Sequence, residues 1–156
     1  MEIERLIKLF REAIDAASKE GAFRNHPPFS RFPKDCCDFA CDLLGRFLLE
    51  NGIETHQING TCNTDMSWHH VWLSTDAGIV IDITGDQFIG ELVSADEVSP
   101  THVGSENKIH KLFCQNRYCE QNINFTDAWE FTGFNGSQNR RQRDLHAIYQ
   151  IICQYL

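Results

Sequence analysis

The rhythm of apolar residues along the chain predicts an α+β fold. Two stretches near the N-terminus repeat apolar residues at three- and four-residue steps, a middle stretch alternates like paired strands, and the tail returns to helical spacing. The expected arrangement is a helix packed on a small antiparallel sheet with flanking N- and C-terminal helices, one domain over residues 1–156. No internal repeat or low-complexity linker divides it.

Ile3, Leu6, Ile7, Phe10, Ala13, Ile14 and Ala17 form the stripe of an amphipathic first helix, with Gly21 as its stop. Residues 21–35 hold Pro27, Pro28 and Pro33, which fix φ and remove amide donors, so an extended, structured loop is expected. From Cys36 to about Asn51 helical spacing resumes through Cys37, Ala40, Cys41, Leu44, Phe47 and Leu48, with Asp35 as N-cap and Gly52 beside the C-cap. A strand is expected over Glu54–Gly60, then a hairpin of His69–Thr75 and Ile79–Thr84 around Asp76-Ala77-Gly78. Residues 85–128 are the least legible, with one short strand near Glu91–Ser94. The last helix starts near Asn139 and buries Leu145, Ile148, Tyr149, Ile152 and Leu156.

Charge and composition narrow the function. Lys and Arg number 14 against 22 Asp and Glu, a net charge of -8, which lacks the basic field that nucleic acids or anionic membranes require. Residues 1–20 carry charges every few positions, without the apolar stretch of a signal peptide, and no run is long enough to span a membrane. A cytoplasmic location is therefore expected, with the seven cysteines, an odd number, as reduced thiols.

The hairpin makes a sharper expectation. A three-residue loop with Gly78 left-handed pairs Thr75 with Ile79, Leu73 with Ile81 and Val71 with Ile83, gathering the aliphatic side chains on one face. The other face, which the core is not expected to need and which is left for function, then carries His70, Trp72, Val80 and Asp82. Asp82 lies opposite Trp72 with His70 diagonal to it, a separation an imidazole and a carboxylate can bridge. His69 points the other way. A structural His–Asp pair would look the same at this level.

A third group meets them in the chemistry. Cys36 and Cys37 stand where a loop enters a helix, and the unpaired amides there favour a thiolate and offer donors to an oxyanion. Thiol, imidazole and carboxylate together make a nucleophile, a base and an orienter. Cys41, Cys62 and Cys153 fit the role of small buried hydrophobes instead.

The run FPKDCCDFACDLLGRFLLENGIET, followed by HHVWL and IVIDITGDQF, resembles bacterial proteins of the transglutaminase-like and papain-like thiol-hydrolase superfamily over residues 32–88. The resemblance implies Cys37 as nucleophile, His70 as base and Asp82 as orienter. It also implies an acyl-enzyme step on an amide of a protein or peptide, needing no cofactor or metal. Peptidase, glutamine deamidase and transglutaminase share that step, and hydrolysis ranks first because water is the default acceptor. Two departures stand out. Asp35 and Asp38 flank the thiol, where carboxylates oppose ionisation. Arg31 occupies the place of the glutamine that papain-like enzymes give to the oxyanion hole, leaving Asn25, His26 and Ser30 as candidates.

Other readings stay open. A member of this fold without catalysis would act as a protein-binding module. Zinc is weakly supported, because Cys37-x₃-Cys41 and Cys114-x₄-Cys119 have no second knuckle beside them. Arg140-Arg141-Gln142-Arg143 fits a solvated helix start, or one paired with acidic surface, better than a nucleic-acid patch. Trp68 and Trp129 fit a core, whereas Trp72 is the tryptophan expected to contact substrate. Asp86-Gln87-Phe88 either shapes the site or turns Phe88 inward.

Overall fold

The computed structural model describes residues 1–115, 123–126 and 139–156. Helix α1 spans Glu2–Lys19 and helix α2 spans Cys37–Glu50. Strands β1 (Thr55–Cys62), β2 (His69–Ser74) and β3 (Val80–Asp82) follow, then a 3₁₀ turn at Gly85–Phe88. Strand β4 (His102–Gly104), the short helix α3 (Lys108–Leu112), strands β5 (Phe113–Gln115) and β6 (Asn124–Phe125), and helix α4 (Arg140–Cys153) complete the order. This is an α+β fold. Strands run in the order β4-β3-β2-β1-β5, with β6 also on β1, and every pairing is antiparallel. No helix among the described residues is long and apolar enough to cross a membrane.

The hairpin closes in the expected register. Leu73 pairs with Ile81, Thr75 N–H donates to Ile79 O at 3.0 Å, and Gly78 has φ +81°, which a residue with a Cβ rarely adopts. Pairing stops before the expected Val71–Ile83 partners, because after Asp82 the chain bends into the 3₁₀ turn.

Two apolar clusters hold the sheet, one on each face. Leu6, Ile7, Phe10 and Ile14 of α1, Leu44 and Leu48 of α2, and Leu145, Ile148 and Ile152 of α4 pack with Val71, Leu73, Ile81 and Ile83. Fully burying a side chain such as Leu48 stabilises the fold by roughly 1.5–3 kcal/mol. On the opposite face Cys62, Trp72, Val80, Phe88, Val93, Ile109 and Phe113 form a second, smaller cluster. The face carrying Trp72 and Val80 is therefore core, contrary to the expectation of a free functional surface.

Several local expectations are corrected. Residues 21–35 are not extended but run as successive turns, with Arg24, His26, Phe29, Phe32 and Lys34 each donating to the carbonyl three residues back. Asp35 does not cap α2; it takes φ +58°, and Cys36 is the N-cap. Glu91–Ser94 is no strand, since only an isolated Ile89–Val93 bridge forms there, and the edge of the sheet is β4 instead. Leu156 and Cys153 are exposed. Cys119 and Trp129 lie outside the described residues, as does the side chain of Cys114.

Candidate active site

Helix α2 opens on Cys37, whose half-buried thiol borders a cavity of about 420 Å³. Its neighbour Cys36 is fully buried, and burial pushes that thiol far up, so the two adjacent sulfurs are chemically unlike. Cys41, one turn further on, is buried and pushed up in the same way.

Both carboxylates beside Cys37 are paired. Arg31 Nη1 donates to Asp35 Oδ2 at 2.7 Å, and Arg141 Nη1 donates to Asp38 Oδ2 at 3.1 Å. The other end of the Arg141 guanidinium donates to Asp42 Oδ2 at 2.6 Å, and its plane lies 4.3 Å over Phe39. Burial pushes Asp42 up to about 6, against the pull of Arg141. Arg141 is thus the member of the basic run that pairs with acidic surface. Each of the two carboxylates flanking the thiol thus has an arginine partner.

His70 Nε2 donates to Asp82 Oδ2 at 2.7 Å, both side chains being buried. Burial alone pushes the imidazole down, but Asp82 outweighs it and raises His70 to about 10, with Cys37 adding as a hydrogen-bonding neighbour. The other ring nitrogen, Nδ1, is buried without a partner in standard hydrogen-bond geometry. Burial pushes Asp82 up, yet the His70 charge and hydrogen bonds from His110 and His70 hold it far below the usual carboxylate range. Thr84 N–H donates to the remaining oxygen, Oδ1, at 2.9 Å.

The geometry also assigns the neighbouring histidines. His69 is exposed and lines the Cys37 cavity, whereas His70 is fully buried and has Cys37 among the groups that raise it. The His70 ring packs edge-on to Phe88 with centroids 5.0 Å apart, so the Asp86-Gln87-Phe88 turn packs Phe88 inward. Asp86 is engaged by Arg11 at 2.8 Å. Trp72 is completely buried, 5.5 Å from the His70 ring between centroids. Its expected contact with substrate is thereby corrected: it is a wall behind the imidazole. Trp68 is half-buried and borders a second cavity of about 330 Å³, which shares His69 with the first.

His70, Asp82 and His110 form a group whose potential ligand atoms all lie within 4.8 Å. Their bonding does not suit a metal. Asn107 N–H points at His110 Nδ1 at 3.1 Å, so the His110 proton sits on Nε2 and is directed at Asp82 Oδ2, 2.9 Å away. A ligating histidine needs the reverse tautomer, with its second nitrogen donating outward.

His110, Arg141, Gln57 and Asn59 have no place in the sequence-level site. Gln57 and Asn59 pair with Leu73 and Val71, and they line the Cys37 cavity. Their signal was available: two amides at period-two spacing on a sheet face otherwise aliphatic. Gln57 Nε2 is held by Asp42 Oδ1 at 2.8 Å. His110 had no such signal, since a single histidine in a loop-rich stretch announces nothing. Arg31 is tied to Asp35, and Asn25, His26 and Ser30 do not line the cavity.

Compared with known proteins, the chain matches no family model, no curated protein and no solved structure.

Proposed function

We propose that this chain is a thiol-dependent acyl-transfer enzyme with a papain- or transglutaminase-like fold, acting on an amide bond of a protein or peptide. The observation that carries the reading is the buried 2.7 Å bond from His70 Nε2 to Asp82, which leaves Nδ1 as the ring nitrogen for the Cys37 thiol. Cys37 itself is accessible from the cavity at the start of α2.

In this reading His70 holds the proton taken from the Cys37 thiol on Nδ1, as its raised proton affinity favours, and the sulfur attacks the amide carbonyl. The carbon–nitrogen bond breaks, the imidazolium returns the proton to the leaving amine, and a thioester remains on Cys37. Water then gives a proton to His70 and its oxygen to the acyl carbon, releasing the carboxylic acid and the thiol. Asp82 keeps the proton on Nε2 throughout and stabilises the imidazolium. The Cys37 backbone amide, at the first position of the helix, supplies one oxyanion donor. The free thiols at Cys36, Cys37, Cys41, Cys62 and Cys153 support work in a reducing cytoplasm.

Iodoacetamide tests the reading without a known substrate. Labelling should fall first and fastest on Cys37 near neutral pH, collapse in His70→Ala, and persist in His69→Ala. Slow labelling that ignores His70 would instead leave the chain as a protein-binding module of this fold. With a mixed peptide substrate, new amine termini would mark a peptidase, and ammonia released from glutamine a deamidase.

A further inference from the structure

Asp82 Oδ2 receives two imidazole protons, not one. His70 Nε2 donates at 2.7 Å and His110 Nε2 at 2.9 Å, with all three side chains buried. A buried histidine of this kind could be mere packing. Two features of its surroundings argue for more.

The His110 tautomer is imposed from outside the site. Asn107 uses its side-chain oxygen to accept Ile109 N–H at 2.9 Å and His110 N–H at 3.3 Å, starting α3. Its own backbone N–H, at 3.1 Å, occupies His110 Nδ1. With that lone pair taken, Nε2 must carry the proton, and among the described residues Asp82 is the acceptor it meets. The ring is also restrained: it lies 5.0 Å from Trp72 and 5.1 Å from His102, centroid to centroid. His102 in turn donates from Nε2 to Ser105 O at 2.6 Å.

We propose that His110 is a positioning residue for the Cys37–His70–Asp82 triad, a neutral donor that shares Asp82 Oδ2 with His70 and thereby limits how tightly the carboxylate holds the imidazolium. The proposal rests on the triad reading above. An imidazolium bound too firmly is a poor acid for the leaving amine, since the proton must depart during each turnover. A second fixed donor on the same oxygen draws off part of its charge, while Thr84 N–H holds Oδ1 and so fixes the plane of the carboxylate. The titratable groups around this cluster are Cys37 and Cys41 from α2, His102 from β4 and His110 itself.

The test is the pH profile of Cys37 alkylation, which needs no substrate. Replacing His110 with Leu leaves Oδ2 to His70 alone, so the alkaline limb assigned to His70 should move up by about half a pH unit. His110→Gln, which can present an amide N–H at the same reach, should restore the wild-type limb. An unmoved limb in His110→Leu, or an equal shift in both variants, overturns the proposal. Alkylation that ignores His70→Ala overturns the triad as well, so the two failures are distinguishable. Should the Leu variant fail to fold, ring-nitrogen NMR of the wild-type protein decides: the His110 proton must sit on Nε2, with Nδ1 an acceptor. A proton on Nδ1 overturns it.

Discussion

Arg141 Nη2 lies 2.6 Å from Asp42 Oδ2, while Nη1 of the same guanidinium lies 3.1 Å from Asp38 Oδ2. One side chain from the last helix thus spans the first two turns of the helix that carries Cys37. It neutralises a carboxylate next to the thiol and another buried beneath it, so it bears on both reactivity and stability.

Arg141→Ala should therefore have two separable effects. Among the described residues Asp42 would then be left with Gln57 as its donor, costing about 1–3 kcal/mol after allowance for an arginine that is 43% exposed. Urea denaturation reads this. Cys37 alkylation should also slow, by ~3-fold, because Asp38 then faces the sulfur unpaired. Adding Asp38→Asn should recover the rate and leave the stability deficit. Recovery of both, or of neither, would mean Arg141 acts on the helix as a whole.

The buried pair predicts how stability follows pH. His70 is raised in the folded state to about 10, above an ordinary value of about 6.5, so the native chain holds that proton more tightly than the unfolded one. Its contribution is complete below about pH 6.5 and is lost as pH rises through about 10. Asp82 is depressed, and its contribution is present above about pH 4 and lost as pH falls below that. Denaturation midpoints should consequently decline on the alkaline side, and His70→Phe should flatten that decline. A wild-type midpoint constant from about pH 7 to 10 would contradict the pairing.

How much of this was legible in the sequence depends on the range of the interaction. The Leu73–Ile81 register and the His70–Asp82 approach follow from period-two alternation and a left-handed Gly78, both local. So do the helix faces, apart from Leu156 and Cys153, which are exposed, and Asp42, whose burial is met among the described residues by Gln57 and by Arg141, 99 residues away. Trp72 was misjudged because parity assigns a face but not what covers it. The cover comes from Phe88, Ile109 and Phe113, in the stretch where no periodicity exists. His110 joined the site by the same non-local route, through a five-residue helix too short to show a stripe.

Adjacent Cys36 and Cys37 offer an internal control. Burial pushes the Cys36 thiol far up, whereas Cys37 opens on the cavity. Cys36→Ser should retain fast alkylation, though the hydroxyl it buries is expected to cost about 1–3 kcal/mol. Cys37→Ser should abolish it, leaving slow labelling at exposed Cys153. Peptide mass mapping separates these sites. Fast labelling that survives Cys37→Ser would move the nucleophile elsewhere.

Gly85 sets the last constraint, because a side chain there would crowd Asp82. A Cβ there would stand 3.0 Å from Asp82 Oδ2 and 3.2 Å from Val98 Cγ2. That oxygen cannot retreat freely, since two imidazoles donate to it at 2.7 and 2.9 Å. Gly85→Ala should therefore displace the carboxylate, lengthen at least one of these bonds, and cost about 1–3 kcal/mol from crowding. The functional signature is the informative part: alkylation of Cys37 should slow by ~10-fold as His70 loses its orienter, in the direction of Asp82→Asn. If Gly85→Ala is destabilised yet alkylates at the wild-type rate, the carboxylate's position does not govern the thiol, and Asp82 is a structural partner of His70 alone.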